Sequence, residues 1–428
     1  MRSSSRFTVS ARWLMFALLL GLSCFSAVPL ARAEDAIPPD CEVFPERCLP
    51  EPIDVEISGR VTTPAGTGVG GVLLTIRRGG TGPIVDTVTT NANGDYVSLF
   101  TVFLTTGGYT VTPSKTCYRF NPQSRFVSAY GGSNVNFTAL KCNRVADFDG
   151  DGKTDVSAWR PSNGTWYILR SSNSTYVTTQ WGQSGDRPVP GDYDGDGKTD
   201  LAVFRPGTSA DPNPNNGTWH MLRSSDGTSS AVTFGYNSDI LVPGDYDGDG
   251  KTDLATFRPS DGNWYVLQSS DGVMSVVHWG LSGDRPVPGD YDGDGKTDRA
   301  TFRPSDGVWY ILQSSTLTPA YQYWGLSTDQ LVPADYDGDG KTDVATWRSS
   351  DTIWYMFLSS TNAPAYQQWG VSGDVVAPGD YDGDGKTDQT VWRPSNGNWY
   401  ILNSSTGSGV TIALGAPGDI PIPSANLP

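Results

Sequence analysis

The sequence predicts an all-β protein, a six-bladed β-propeller preceded by a small β-sandwich. Three observations carry this: a nine-residue acidic string recurs at a nearly fixed period, short β-rich runs alternate with Gly-, Asn- and Pro-rich turns, and tryptophans return at fixed places in each repeat. Composition agrees. Gly 50 and Pro 30 in 428 residues suit a turn-rich chain, while 14 Trp is far too many for a disordered one. The net charge of −16 would repel phosphate backbones, so nucleic acid is not an expected partner. Only two histidines occur, His220 and His278, which removes most His-based nucleophilic and zinc chemistry.

Residues 1–33 read as a signal peptide. Arg2, Arg6 and Arg12 precede the apolar run that starts at Trp13, and Ala31-Arg32-Ala33 offers small residues where a signal peptidase reads. An uncleaved membrane anchor is the alternative. Cleavage removes four Arg and no acid, so −16 becomes −20. The expected location is extracellular or on the cell surface, with no membrane span in the mature, monomeric chain. Export places Cys41, Cys48, Cys117 and Cys142 in an oxidising compartment, where they allow three pairings. Proximity favours Cys41–Cys48 and Cys117–Cys142.

Residues 34–52 are Pro-rich and acidic and read as a linker. From 53 to 140, strands are expected at Val55–Thr63, Val72–Arg78, Val85–Thr90, Tyr96–Leu104, Tyr109–Thr112 and Asn134–Ala139, with Asn93-Gly94 as a hairpin signal. Ile57-Ser58-Gly59-Arg60-Val61, the stretch Thr90–Tyr96, Gly108-Tyr109-Thr110-Val111 and Asn134–Thr138 make this segment resemble the carboxypeptidase-regulatory-like family. That resemblance implies a transthyretin-like sandwich, an accessory module without chemistry of its own.

Residues 141–428 are dominated by Asp-Phe/Tyr-Asp-Gly-Asp-Gly-Lys-Thr-Asp, starting at Asp147, Asp192, Asp245, Asp290, Asp335 and Asp380. The spacings are 45, 53, 45, 45 and 45, the long one holding an insertion around Ser209–Asn215. Each unit carries four short strands; in the second these are Pro188–Tyr193, Leu201–Pro206, Thr218–Ser224 and Ala231–Gly235, with a turn at Asn216-Gly217. One four-stranded sheet cannot bury both faces alone, so units must stack, and radial stacking gives a propeller. Trp166, Trp219, Trp264, Trp309, Trp354 and Trp399 share one place in the unit; Trp181, Trp279, Trp324 and Trp369 share another. After the sixth unit, Ile420-Pro421-Ile422-Pro423 repeats a first strand without its acidic loop, the spare strand a ring needs to close. Seven blades, one of them degenerate, is the alternative to six.

The acidic loop reads as a calcium site. In the second repeat, Asp192, Asp194, Asp196, the Lys198 carbonyl and Asp200 stand at alternate positions, and Gly195 and Gly197 permit the tight turn. Four carboxylates, one carbonyl and a water supply the six or seven hard oxygens Ca²⁺ prefers, whereas Mg²⁺ demands a stricter octahedron. The loop is no EF-hand: its twelfth position is Val203 rather than Glu, and a strand follows. Asp-x-Asp-Gly-Asp-Gly-x-x-Asp followed by Ala-Val-Phe-Arg-Pro resembles the FG-GAP/VCBS repeats, as in the integrin α-subunit propeller. The resemblance implies calcium between the first two strands of each blade. Its ligands would be Asp147, Asp149, Asp151, Lys153 and Asp155 in the first loop, and Asp245, Asp247, Asp249, Lys251 and Asp253 in the third. The fourth loop supplies Asp290, Asp292, Asp294, Lys296 and Asp298, and the fifth Asp335, Asp337, Asp339, Lys341 and Asp343. Asp380, Asp382, Asp384, Lys386 and Asp388 complete the set of about six Ca²⁺ sites, each Lys contributing its carbonyl. Integrin-like propellers usually carry seven repeats with metal in only some; six identical loops depart from that.

No catalytic residue is expected. The regular carboxylates are claimed by metal, the recurrent Arg160, Arg205, Arg258, Arg303, Arg348 and Arg393 suit packing or pairing with a loop carboxylate, and Ser171-Ser172 and its equivalents read as turn residues. The expected function is non-enzymatic recognition or adhesion towards an extracellular protein or glycan. Lectin pockets between blades, or a secreted polysaccharide hydrolase or lyase, are the alternatives.

Overall fold

The computed structural model describes residues 52–424, except 63–65, 67, 104–106, 116–117, 123, 142–144, 209–212 and 214. The signal peptide, most of the linker and all four cysteines of the expected disulfides lie outside the described residues.

Among the described residues the first module has nine strands: β1 Pro52–Thr62, β2 Leu73–Arg78, β3 Ile84–Thr89, β4 Asp95–Phe103, β5 Tyr109–Ser114, β6 Tyr118–Asn121, β7 Arg125–Val127, β8 Gly131–Gly132 and β9 Phe137–Lys141. One sheet runs β4-β1-β9-β6, with β8 beside β1, and the other runs β3-β2-β5-β7. Alternation along β1 and β2 turns Val55, Ile57, Leu74 and Ile76 into a single core with Tyr96, Val111 and Phe137. The Asn93-Gly94 expectation needs correction. A tight turn does form there, yet β3 and β4 belong to different sheets, so it is a crossing rather than a hairpin. Gly94 stands at φ +80 with its would-be Cβ 2.1 Å from the Val61 carbonyl, so close approach of β1 fixes the glycine.

In the repeat region the described residues form six four-stranded antiparallel sheets; five follow chain order from a two-residue first strand outwards, and in the sheet of the first repeat Ile420–Pro421 takes that strand's place. The second repeat uses Arg187–Pro188, Leu201–Arg205, Asn216–Leu222 and Ser229–Tyr236. Asn216-Gly217 is not the expected turn here. The inserted residues lengthen this hairpin, so both lie within the third strand beside a register shift. The closing strand is where the sequence puts it: Ile420–Pro421 pairs with Val156–Arg160 of the first repeat, joining Trp159 to Ile420 across the chain ends. A short 3₁₀ turn, Ile422–Ser424, follows.

Two tryptophan sets hold this array. Trp166, Trp219, Trp264, Trp309, Trp354 and Trp399 are fully buried, and each indole N–H donates to a carbonyl fifteen residues on, at 2.7–3.2 Å. The second set bridges sheets: Trp181, Trp279, Trp324 and Trp369 donate to the carbonyls of His220, Tyr310, Tyr355 and Tyr400 on the next repeat's third strand. Trp309→Ala is therefore expected to lower stability by about 3–5 kcal/mol, as read by urea denaturation in calcium.

Candidate metal centres

Every acidic loop is anchored by what surrounds it. In loops two to six the second residue, Tyr193, Tyr246, Tyr291, Tyr336 or Tyr381, turns inward and donates its hydroxyl to a carbonyl four residues back; these tyrosines in most repeats, and Phe148 in the first loop, meet a buried Trp edge-on. The loop ends are pinched together: the N–H groups of Asp200, Asp253, Asp298, Asp343 and Asp388 donate to the residue just before the loop, at 2.7–2.8 Å. Gly195 (φ +85) and Gly197 (φ +91) sit in left-handed conformations, as the tight turn requires.

Inside the second loop, Asp192 accepts the N–H groups of Gly195 (2.7 Å) and Gly197 (3.0 Å), and Asp196 accepts that of Lys198 (2.8 Å). The buried Asp200 accepts N–H groups from Tyr193 and Ser224 at 2.8 and 2.7 Å. Ser224 and Ser225 donate their hydroxyls to Asp196 and Asp194. The same pair recurs at Ser171-Ser172, Ser269-Ser270, Ser314-Ser315, Ser359-Ser360 and Ser404-Ser405. Sequence reasoning took these serines for turn residues alone; they also orient the carboxylates, and their strict recurrence beside the loops was the signal.

Carboxylate oxygens of Asp147, Asp149 and Asp155 come within 4.8 Å of one another, as do those of Asp192, Asp194 and Asp200. In the next three loops the trios are Asp245, Asp247 and Asp249; Asp290, Asp292 and Asp294; and Asp335, Asp337 and Asp339. Each trio thus joins three of the four aspartates expected from sequence, the first and third positions with the ninth or the fifth. Such convergence of hard, like-charged oxygens fits a divalent cation of the calcium type. Burial, with added repulsion between neighbouring carboxylates, pushes Asp147, Asp155, Asp200, Asp298, Asp343 and Asp388 up to about 6, and Asp245 and Asp290 to about 7, against the opposing pull of backbone N–H groups.

A pH dependence follows. These folded-state values exceed the unfolded one of about 3.9, so the metal-free fold holds extra protons between roughly pH 4 and 7. These groups destabilise the metal-free chain as pH rises through that window, whereas cation binding needs them ionised. Melting curves with calcium and with EDTA are expected to lie far apart at pH 8 and to converge as pH falls from 7 to 5.

The recurrent arginines pair with carboxylates outside the acidic loops. Arg160, Arg205, Arg258, Arg303, Arg348 and Arg393 each grip Asp419, Asp186, Asp239, Asp284, Asp329 and Asp374 respectively, through Nε at 2.7–2.9 Å and Nη2 at 2.9–3.0 Å. Each Asp side chain is almost wholly buried and also accepts the N–H three residues before it. Five of these guanidiniums also lie over the tyrosine of the adjoining strand, as Arg303 does over Tyr310 at 3.9 Å.

Residues 147–203 and 290–346 match the FG-GAP-like repeat. Those two stretches carry the FG-GAP-like repeat, within an all-β array of four-stranded sheets of the propeller type. No curated protein matches its sequence. Among solved structures, TolB from Acinetobacter baumannii is 12% identical, over 74% of this chain and 79% of that one, with a TM-score of 0.46. An Agrocybe aegerita lectin that recognises non-reducing terminal N-acetylglucosamine is 12% identical over 81% and 90%, with a TM-score of 0.40. Regucalcin, a calcium-binding protein from Agrobacterium tumefaciens, is 11% identical over 61% and 75%, with a TM-score of 0.32. Likenesses this distant assign no ligand, partner or activity to this chain.

Proposed function

We propose that the protein is an exported, monomeric recognition module: a six-bladed propeller made rigid by calcium in its acidic loops, with residues 53–140 as an accessory sandwich. The supporting observation is the convergence of three carboxylates in loop after loop, each held by serines and backbone N–H groups of its own repeat. The cation would be held by aspartates at positions one, three, five and nine and by the Lys carbonyl at seven, and would supply charge neutralisation and cross-linking rather than catalysis. The partner is an extracellular protein or glycan. A glycan is favoured by the groove of about 330 Å³ lined by Thr352, Gln368, Trp369, Gly370, Arg393 and Tyr400, which sets aromatic surface beside amide, hydroxyl and guanidinium groups. The deciding experiment is a glycan array probed with the calcium-loaded chain, alongside capture of extracellular proteins and a polysaccharide hydrolysis screen. Turnover in the last would replace this reading with the hydrolase or lyase one.

A further inference from the structure

The six acidic loops are joined to one another. The N–H of Thr199, at position eight of the second loop, donates to the carbonyl of Asp147, at position one of the first, at 2.7 Å. Thr252 does the same to Asp192, Thr297 to Asp245, Thr342 to Asp290 and Thr387 to Asp335, at 2.6–2.7 Å. Thr154 of the first loop then donates to Asp380 of the last at 2.7 Å, and its hydroxyl accepts the Asp380 N–H at 3.1 Å, so the chain of loops closes on itself. Side chains follow the same path. The Lys198 stem lies over Gly150, where an added Cβ would stand 3.0 Å from Cγ, and Lys153 lies over Gly383 at 2.8 Å. Lys251, Lys296, Lys341 and Lys386 cover Gly195, Gly248, Gly293 and Gly338 in the same way.

We propose that the cation sites bind cooperatively around this closed ring. The inference rests on the calcium reading of the loops. Each threonine N–H lies between the position-seven carbonyl and the position-nine aspartate of its own site, yet its bond is to the position-one aspartate of the preceding site. A cation that fixes positions seven and nine therefore fixes the neighbour's first ligand, and the neighbour loses less conformational freedom when it binds. Repulsion between successive cations works the other way. At 0.15 M salt, where the screening length is about 8 Å, that repulsion is damped while the hydrogen-bonded link is not.

The test is a calcium isotherm of the full chain by equilibrium dialysis in 0.15 M KCl, with far-UV dichroism confirming that the metal-free chain stays folded. The expected isotherm is steeper than that of independent sites. Asp290→Asn with Asp292→Asn removes one site; the remaining sites are then expected to weaken by about fivefold or more, the usual lower range of coupling between sites. A non-cooperative isotherm, or a variant that loses one ion while the others keep their affinity, overturns the coupling and leaves the calcium reading intact. Absence of calcium binding by the wild-type chain overturns both. If the variant fails to fold, the steepness of the wild-type isotherm decides alone.

Discussion

EDTA is expected to lower the melting temperature steeply and reversibly at pH 8, and added calcium to restore it. Without a cation, 24 of the 46 acids are gathered in six loops, and the ninth-position aspartates are fully buried. Calcium in all six takes the charge of the 428-residue chain from −16 to about −4. At free calcium tenfold above the dissociation constant, each independent site adds about 1.4 kcal/mol and six add about 8. That approaches the whole stability of a domain, about 5–15 kcal/mol. Positive coupling sharpens the loss without changing its sign. An unchanged melting curve after proven removal of the ion would contradict the structural role.

The second large effect is expected at the arginine–aspartate pairs. Arg303→Met keeps an apolar stem but strands Asp284, whose side chain is 2% exposed. Breaking a buried pair on one side costs about 3–5 kcal/mol, and the partial exposure of Arg303 places this one near 3. The carboxylate would still accept the Leu281 N–H, so the turn before the first strand should survive with an uncompensated charge. Asp284→Asn should cost less, because the amide retains an acceptor. The double variant Arg303→Met, Asp284→Asn should cost less than its two parts summed, as expected for residues in direct contact. Urea denaturation of the four chains completes the cycle; strict additivity would mean the pair is incidental.

The period explains why so much of the propeller was legible. One sheet per repeat, the closing strand Ile420–Pro421 and the alternate aspartates of the loops all follow from short-range patterns copied six times. What escaped depends on contacts between distant segments. Asp186, Asp239, Asp284, Asp329, Asp374 and Asp419 also recur at one position, but nothing local marks them as the partners of arginines nineteen residues later, or of Arg160 at the other end of the chain. Asn93-Gly94 carries a hairpin signal that tertiary packing overrides, because Ile57 and Leu74 need a sheet on each side of one core. Tyr118–Asn121, Arg125–Val127 and Gly131–Gly132 are too short to show alternation. The threonine links between acidic loops are backbone bonds, to which side-chain patterns are blind.

Metal content of the purified full chain tests the central claim most directly. After gel filtration in millimolar calcium with excess magnesium, elemental analysis should find six calcium ions per chain and little magnesium. A chain that emerges with no calcium, its thermal stability unaltered, would contradict the account.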